Sequence, residues 1–231
     1  MSDVTVLVSS YDGAHALWPG WCHFWHKFWP DCPWPIRFVT NHLDAPCGDT
    51  IKCGLDRGWT AMMRKALAQV DTPSLLFMLD DYWLAAPVNG QAIQDFAKIL
   101  TTYGVGHIRL QRSDPHTQQG IGEFEPDPRL FVFWDQAVYR ASLQAALWNR
   151  AAFQRLLIDG ESPWEFETNA SFRSRKWMRS LCVNLETTPD EWNGHAYLPY
   201  HNIASMGQWC GVSVTDSKME QMVDDFIQRY G

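Results

Sequence analysis

Ser74-Leu75-Leu76-Phe77-Met78-Leu79-Asp80-Asp81-Tyr82-Trp83 is the stretch on which the fold turns. Its apolar run is too short for a membrane span and ends abruptly in two adjacent carboxylates. That pattern predicts a strand buried on both faces, delivering acidic side chains to the rim of a parallel sheet. Such rims are where open α/β sheets bind ligands. Two carboxylates side by side repel each other, so a site that keeps both ionised needs a cation beside them. Asp also favours turns, and a solvated turn after a core strand is the plainer reading of the same pair.

The flanking segments repeat the alternation of strand and helix. Asp3–Ser10 reads as a first strand, and its carboxyl end carries Ser9, Tyr11 and Asp12, candidates for meeting a base and ribose. Ala14–Trp29 reads as a helix interrupted at Pro19-Gly20, and His23 and His26 lie three apart on it. Such histidines more often sit beside aromatic neighbours than share a ligand. Ile36–Asn41 is predicted as the second strand, with Asn41 and His42 at its rim and a short strand near Thr50–Lys52. Arg57-Gly58-Trp59 then precedes a helix over Ala61–Val70, with Thr60 as its N-cap. An anion would be welcome at its amino end beside Arg57, with Arg64 further along.

Beyond the Asp pair, Val88–Thr102 reads as helix and His107–Gln111 as strand. Ser113–Asp127 is polar and rich in Gly and Pro, and is expected to be a loop or lid. Leu130–Trp134 and Gln136–Leu143 are predicted strands, and Trp148–Ile158 a helix. Ser162-Pro163-Trp164-Glu165-Phe166-Glu167 opens another helix, with Ser162 as N-cap and Glu165 three residues on in a capping-box pattern. Leu181–Leu185 is expected as strand, followed by a loop holding His195, Tyr197, Tyr200 and His201 and a helix over Lys218–Arg229. There is no internal repeat, and the expectation is a single α/β domain with a mostly parallel sheet flanked by helices.

Composition narrows the classes. The 231 residues are 46% hydrophobic, enough for a sizeable core. Thirteen Trp, 12 Phe and 7 Tyr are less ordinary; most are expected to fill core, and exposed ones in a cleft make stacking platforms for sugars or bases. The formal net charge is −7, which disfavours a broad phosphate-backbone footprint. No charged leader precedes Val4–Val8, and a cytoplasmic protein with its six cysteines reduced is expected. None of the cysteines forms a C-x-x-C pair, which argues against zinc.

Taken together, the strand ending in Asp80-Asp81-Tyr82, the Gly58-Trp59 helix start, Ser142-Leu143-Gln144-Ala145-Ala146-Leu147-Trp148-Asn149 and Ser162–Glu167 resemble the GT-A-type glycosyltransferases. The resemblance spans most of the chain. It implies a GT-A-like domain over 1–231, with 1–111 as the nucleotide-sugar-binding half and 112–231 as the acceptor half. It further implies a transfer of sugar from a nucleotide-diphosphate donor, a UDP-sugar first, to the hydroxyl of a glycan, lipid-linked or modified-nucleobase acceptor.

On this resemblance Asp81 and Asp80 would hold Mn²⁺ or Mg²⁺, with His201 as a late third ligand. Ser9, Tyr11, Asp12, Asn41, Arg57, Trp59, Arg64 and Asp80 would line the donor site. The pattern departs from the usual D-x-D, since only two acids are supplied locally. An inverting transfer also needs a carboxylate base near the acceptor. Glu165 and Glu167 are the candidates, with Trp164 and Gln144 at the acceptor. Standing two apart, the two glutamates lie about 200° round a helix at roughly 100° per residue, so one faces the cleft. If Glu165 closes the capping box, Glu167 is the base. Two other readings of the same features are a sugar-phosphate nucleotidyltransferase and a non-catalytic nucleotide- or sugar-binding module.

Overall fold

Alternation of side chains along the strands builds a three-layer molecule. In β1 (Val4–Ser9) and β4 (Ser74–Leu79), which pair in parallel, Val4, Val6, Val8, Leu76 and Met78 face one layer of helices. Leu7, Leu75 and Phe77 face the other. A strand buried on both sides has no polar face to show, which is why Ser74–Leu79 reads as an unbroken apolar run. Each such side chain contributes about 1.5–3 kcal/mol on burial.

The computed structural model describes residues 3–55, 57–116, 120–187, 197–205 and 208–209, together with 221, 224, 226 and 228. After β1 come a 3-10 turn, Asp12–Leu17, then α1 (Trp18–Phe28), β2 (Ile36–Thr40), β3 (Asp49–Lys52) and α2 (Trp59–Leu67). β4 leads through a tight turn to β5 (Tyr82–Leu84), α3 (Gly90–Thr102), β6 (Val105–Ser113), β7 (Gly120–Glu123) and β8 (Leu130–Phe133). β9 (Ala146–Asn149), α4 (Arg150–Leu156), α5 (Pro163–Arg173) and β10 (Arg179–Asn184) follow, then β11 (Tyr200–Asn202), β12 (Ala204–Ser205) and β13 (Gln208–Trp209).

Nine strands form one sheet in the order β3-β2-β1-β4-β9-β6-β10-β8-β7. Seven run the same way, and β9 and β8 run against them. The expected mostly parallel α/β sheet is therefore present. α1 and α3 cover one face with Trp21, Phe24, Trp25 and Phe96, and the Trp21 and Trp25 rings stack at 4.6 Å. α2, α4 and α5 cover the other with Met63, Phe153 and Phe166. Among the described residues no helix is long and apolar enough to cross a membrane.

Several local expectations change. Pro19 sits in the first turn of α1, where its missing N–H costs nothing, so Pro-Gly starts the helix instead of interrupting it. Gly58, at φ 93°, caps α2; Thr60 lies inside the helix, fully buried, and accepts the Gly160 N–H. Gln136–Leu143 forms turns, and the strand there is β9, antiparallel between β4 and β6. Trp148 belongs to that strand, and Asn149 caps α4. Part of the expected loop 113–127 pairs as the edge strand β7. His195 and most of Lys218–Arg229 lie outside the described residues; 221, 224, 226 and 228 are helical.

The cysteines also depart from expectation. Cys22 on α1 is bonded to Cys47 in the β2–β3 connection, with Cα atoms 5.9 Å apart. Their separation of 25 residues carries no signal of proximity; the packing of α1 beside β2 brings them together. Cys32, Cys53 and Cys182 are free thiols.

Candidate active site

The carboxyl ends of β1, β2 and β4 meet at one rim. There Asp80 is half-buried, and its Oδ2 accepts the Ser10 hydroxyl at 2.5 Å. Ser10 Oγ in turn accepts the Trp18 indole N–H at 2.7 Å, so the first residue of α1 orients the hydroxyl that orients the acid. Burial pushes Asp80 up to about 6. Burial, followed by the charge of Asp80, pushes Asp81 up to about 7. Asp81 Oδ1 is buried and has no protein partner. Two desolvated acids that resist ionisation together, one with an orphaned oxygen, fit the donor set a divalent cation demands.

The remaining rim residues divide into scaffold and open face. Asp12 accepts the backbone N–H groups of Asn41 and His42 at 3.0 Å and of Leu43 at 3.3 Å. Desolvation opposes its ionisation, but these N–H groups, with His42 nearby, hold its carboxyl below the usual carboxylate range. The Asn41 side chain returns the bond by accepting Asp12 N–H, and donates to the Gly54 carbonyl. Asp12 and Asn41 therefore lock the end of β1 to the end of β2, where donor contacts were expected of both. Ser9 Oγ accepts the Trp59 indole N–H at 2.9 Å, and the Trp59 ring packs edge-on against Phe166.

Tyr11 and Arg57 are exposed at this rim. Arg64 is not placed for a donor. It stands in the last turn of α2, where its Nε lies 2.8 Å from Asp159 and its guanidinium bonds the Leu157 carbonyl. His26, read earlier beside aromatics, bonds the Cys22 carbonyl through Nδ1 at 2.7 Å.

α5 begins as its sequence predicts. Ser162 Oγ accepts Glu165 N–H at 3.3 Å, and Glu165 Oε2 accepts Ser162 N–H at 2.9 Å, a closed capping box. Those bonds from Ser162 hold the exposed Glu165 below its ordinary value. Glu167 points to the other side, where its Oε1 accepts Leu143 N–H at 2.7 Å and the Ser142 hydroxyl at 2.9 Å. Trp164 is 62% exposed, which leaves its ring open to solvent and rules out a core plug.

Two tyrosines bridge the acids. Tyr82 and Tyr200 pack with ring centroids 4.5 Å apart, and Tyr200 donates its hydroxyl proton to Gln144 Oε1. Burial raises both phenols, and the charges of Asp81 and Glu167 raise each of them further. Asp81, Glu167, Gln144 and the tyrosine pair thus share one electrostatic neighbourhood. Sequence reading passed over Tyr82 and Tyr200 as site residues; an apolar strand end and a polar loop offered no sign that they would meet.

β11 runs antiparallel to β5, with His201 opposite Trp83, and Ile203 N–H donates to the Asp81 carbonyl at 3.0 Å. The late segment is therefore stitched beside the Asp pair. Asp80, Asp81 and His201 do not converge as a set of three. Among the described residues, the cluster whose ligand atoms lie within 4.8 Å of one another is Asp114, His116 and Glu186.

No family model matches the chain, and no curated protein matches its sequence. Solved structures do match. S. aureus TarS 1–349 is 11% identical at a TM-score of 0.52, over 86% of this chain and 59% of that one. TarS 1–349 is also solved with UDP-GlcNAc. The mannosyltransferase PcManGT of Pyrobaculum calidifontis, in complex with GDP-Man and Mn²⁺, is 12% identical at 0.53, over 89% of this chain and 58% of that one. A UDP-glucose pyrophosphorylase complexed with UDP-glucose is 9% identical at 0.51, over 80% of this chain and 91% of that one. The chain spans less than two thirds of the TarS and mannosyltransferase chains. These likenesses show a GT-A-like fold.

Proposed function

We propose that this chain transfers a sugar from a nucleotide-diphosphate donor, a UDP-sugar first, to an acceptor hydroxyl with inversion at the anomeric carbon. The observation that carries the reading is the arrangement of the half-buried Asp80-Asp81 pair and Glu167 about the Tyr82–Tyr200 contact. Structures of the same fold hold UDP-GlcNAc and GDP-Man with Mn²⁺, which supports the donor class.

Departure of a nucleoside diphosphate builds negative charge on phosphate and positive charge on the sugar ring. Asp81, with Asp80 beside it, would hold Mn²⁺ or Mg²⁺, which would supply charge for the departing phosphate, and His201 stands on the adjoining strand. Asp80 is held in place by Ser10 and is available to ribose or metal. Ser9, Tyr11, Arg57 and Trp59 form the donor wall, on the bracket made by Asp12 and Asn41. Glu167 takes the acceptor proton through the oxygen not engaged by Ser142 and Leu143. Glu165, spent on its cap, is not the base in this scheme. Trp164 and Gln144 flank the acceptor, whether glycan, lipid-linked sugar or modified nucleobase. In this reading residues 1–111 serve the donor and 112–231 the acceptor.

The reaction is assigned to the cytoplasm, where nucleotide sugars are made; the Cys22–Cys47 bridge pulls the other way, because such bonds favour oxidising compartments. Trapping thiols in intact cells decides between them.

The test is incubation with a panel of UDP- and GDP-sugars and Mn²⁺, following slow donor hydrolysis and thermal stabilisation. No response to any donor would sink the proposal. The match to a UDP-glucose pyrophosphorylase favours a second reading, a sugar-phosphate nucleotidyltransferase, which predicts pyrophosphate release from a nucleoside triphosphate. Against it, β1 is followed by the short turn Asp12–Leu17, which contains no Lys or Arg to cradle a triphosphate. A non-catalytic module would bind donor yet show no turnover with any acceptor.

A further inference from the structure

A large cleft lies away from the Asp rim. It encloses about 760 Å³ at the amino ends of β6 and β10, the opposite edge of the sheet, beside the last residues of β8. One strand length and several strand spacings put it on the order of 20 Å from Asp80.

Its walls are aromatic and open. Tyr103, Trp134 and Trp177 are 45%, 45% and 37% exposed, and all three line the cleft. Large rings left in water on one concave surface mark a binding site more often than chance. Trp177 is also held rigid. Its indole N–H donates to the Arg173 carbonyl at 2.7 Å, and the Arg155 guanidinium lies 4.1 Å over the ring. A fixed, exposed ring is a stacking platform that loses little freedom when a ligand arrives.

The polar lining is balanced. Glu123, Glu125 and Asp135 offer acceptors. Lys176, Arg179 and Arg140 offer donors. Arg140 is 1% exposed at the floor; its Nη groups bond Ser174 Oγ at 2.9 Å and the Met178 carbonyl at 2.8 Å, and Asp135 stands 3.4 Å away. Its Nε is buried without a partner. Three carboxylates against three cations leave no net field to attract a phosphate or a polyanion. Stacking faces with donors and acceptors in equal supply suit a ligand rich in hydroxyls and poor in charge.

We propose that this cleft is a second glycan-binding site, taking a neutral oligosaccharide on Trp134 and Trp177 apart from the site of chemistry. The inference stands whether or not the Asp pair takes a nucleotide sugar.

Calorimetric titration of the whole chain with neutral hexasaccharides (glucose, mannose and N-acetylglucosamine series) tests it, with oligogalacturonate as the anionic control. Binding of at least one neutral series is expected, weakened at least tenfold in Trp134→Ala and in Trp177→Ala. Leu55→Ala, exposed on the β3–α2 connection and outside the cleft, leaves it unchanged. Both cleft rings are exposed, so the variants keep their fold, checked by circular dichroism and by an unchanged melting temperature. Glu123→Gln, which tips the charge balance without removing a ring, weakens the neutral ligand less than threefold. No neutral binding, binding indifferent to Trp134 and Trp177, or tighter binding of the anionic control would each overturn the proposal.

Discussion

Glu167 receives the Leu143 backbone N–H at 2.7 Å, so a carboxylate on α5 fixes the loop that leads into β9. One oxygen is committed to structure, and in the proposed mechanism the other takes the acceptor proton. Glu167→Gln keeps an acceptor for Leu143 and removes the base. Turnover should therefore fall by about 10²–10⁴ while donor affinity changes little. Steady-state kinetics with the best donor and acceptor, and a melting curve to confirm folding, check this. A variant within a factor of three of the parent would remove Glu167 from the mechanism.

Asp81 is the second site of expected loss. Mn²⁺ at about a hundred times its dissociation constant should stabilise the parent by about 2.7 kcal/mol, a rise of roughly 5–10 °C in melting temperature for a chain of this size. Asp81→Asn should abolish that rise, and in metal-free buffer it should melt no lower than the parent, because burial already disfavours the charge it removes. Differential scanning fluorimetry with and without Mn²⁺ reads both effects.

The Cys22–Cys47 bond closes a loop of 25 residues, and the chain-entropy account puts its contribution at about 3–4 kcal/mol. Reduction, or the pair Cys22→Ser and Cys47→Ser, should lower unfolding stability in urea by about that much. The β2–β3 connection carries the N–H groups that hold Asp12, so donor affinity should fall as well.

His107 offers a pH test away from the reaction. It is fully buried on β6, packed against Trp148 with ring centroids 4.3 Å apart. Burial first, and Arg109 second, push it down to about 3. A depressed pKa means that the folded state holds its ring neutral. The stability it contributes is complete above about 6.5 and is lost as pH falls towards 3. His107→Phe keeps the stacking and removes the proton site. The stability difference between parent and variant should shift in favour of the variant as pH drops from 7 to 4, measured by urea unfolding at each pH.

How much of this was legible depended on how local the cause was. Ser74–Leu79 announced itself because burial on both faces removes polar residues from the sequence itself. The capping box at Ser162–Glu165 was equally plain, since both partners lie within one turn. β9 was hidden: its four residues are a strand only because β4 and β6, distant in the chain, stand on either side. Thr60 was taken for a cap because its chemistry suits one, whereas the positive φ at Gly58 set the helix start. The site showed the same division. Asp80, Asp81 and Glu167 were legible as candidates from strand end and helix start, while Tyr82, Tyr200 and Ser10 meet partners that no spacing could reveal.

The bond from Ile203 N–H to the Asp81 carbonyl bears on the order in which a ribosome delivers the parts. Roughly 120 residues separate the two, so at about 5–20 residues per second the Asp pair waits on the order of ten seconds for the strand that fastens it. During that interval the nascent chain owns the acids but not their frame. The frame arrives only with the β11 segment, and a chain halted before residue 200 would carry the acids without the strand that fastens them.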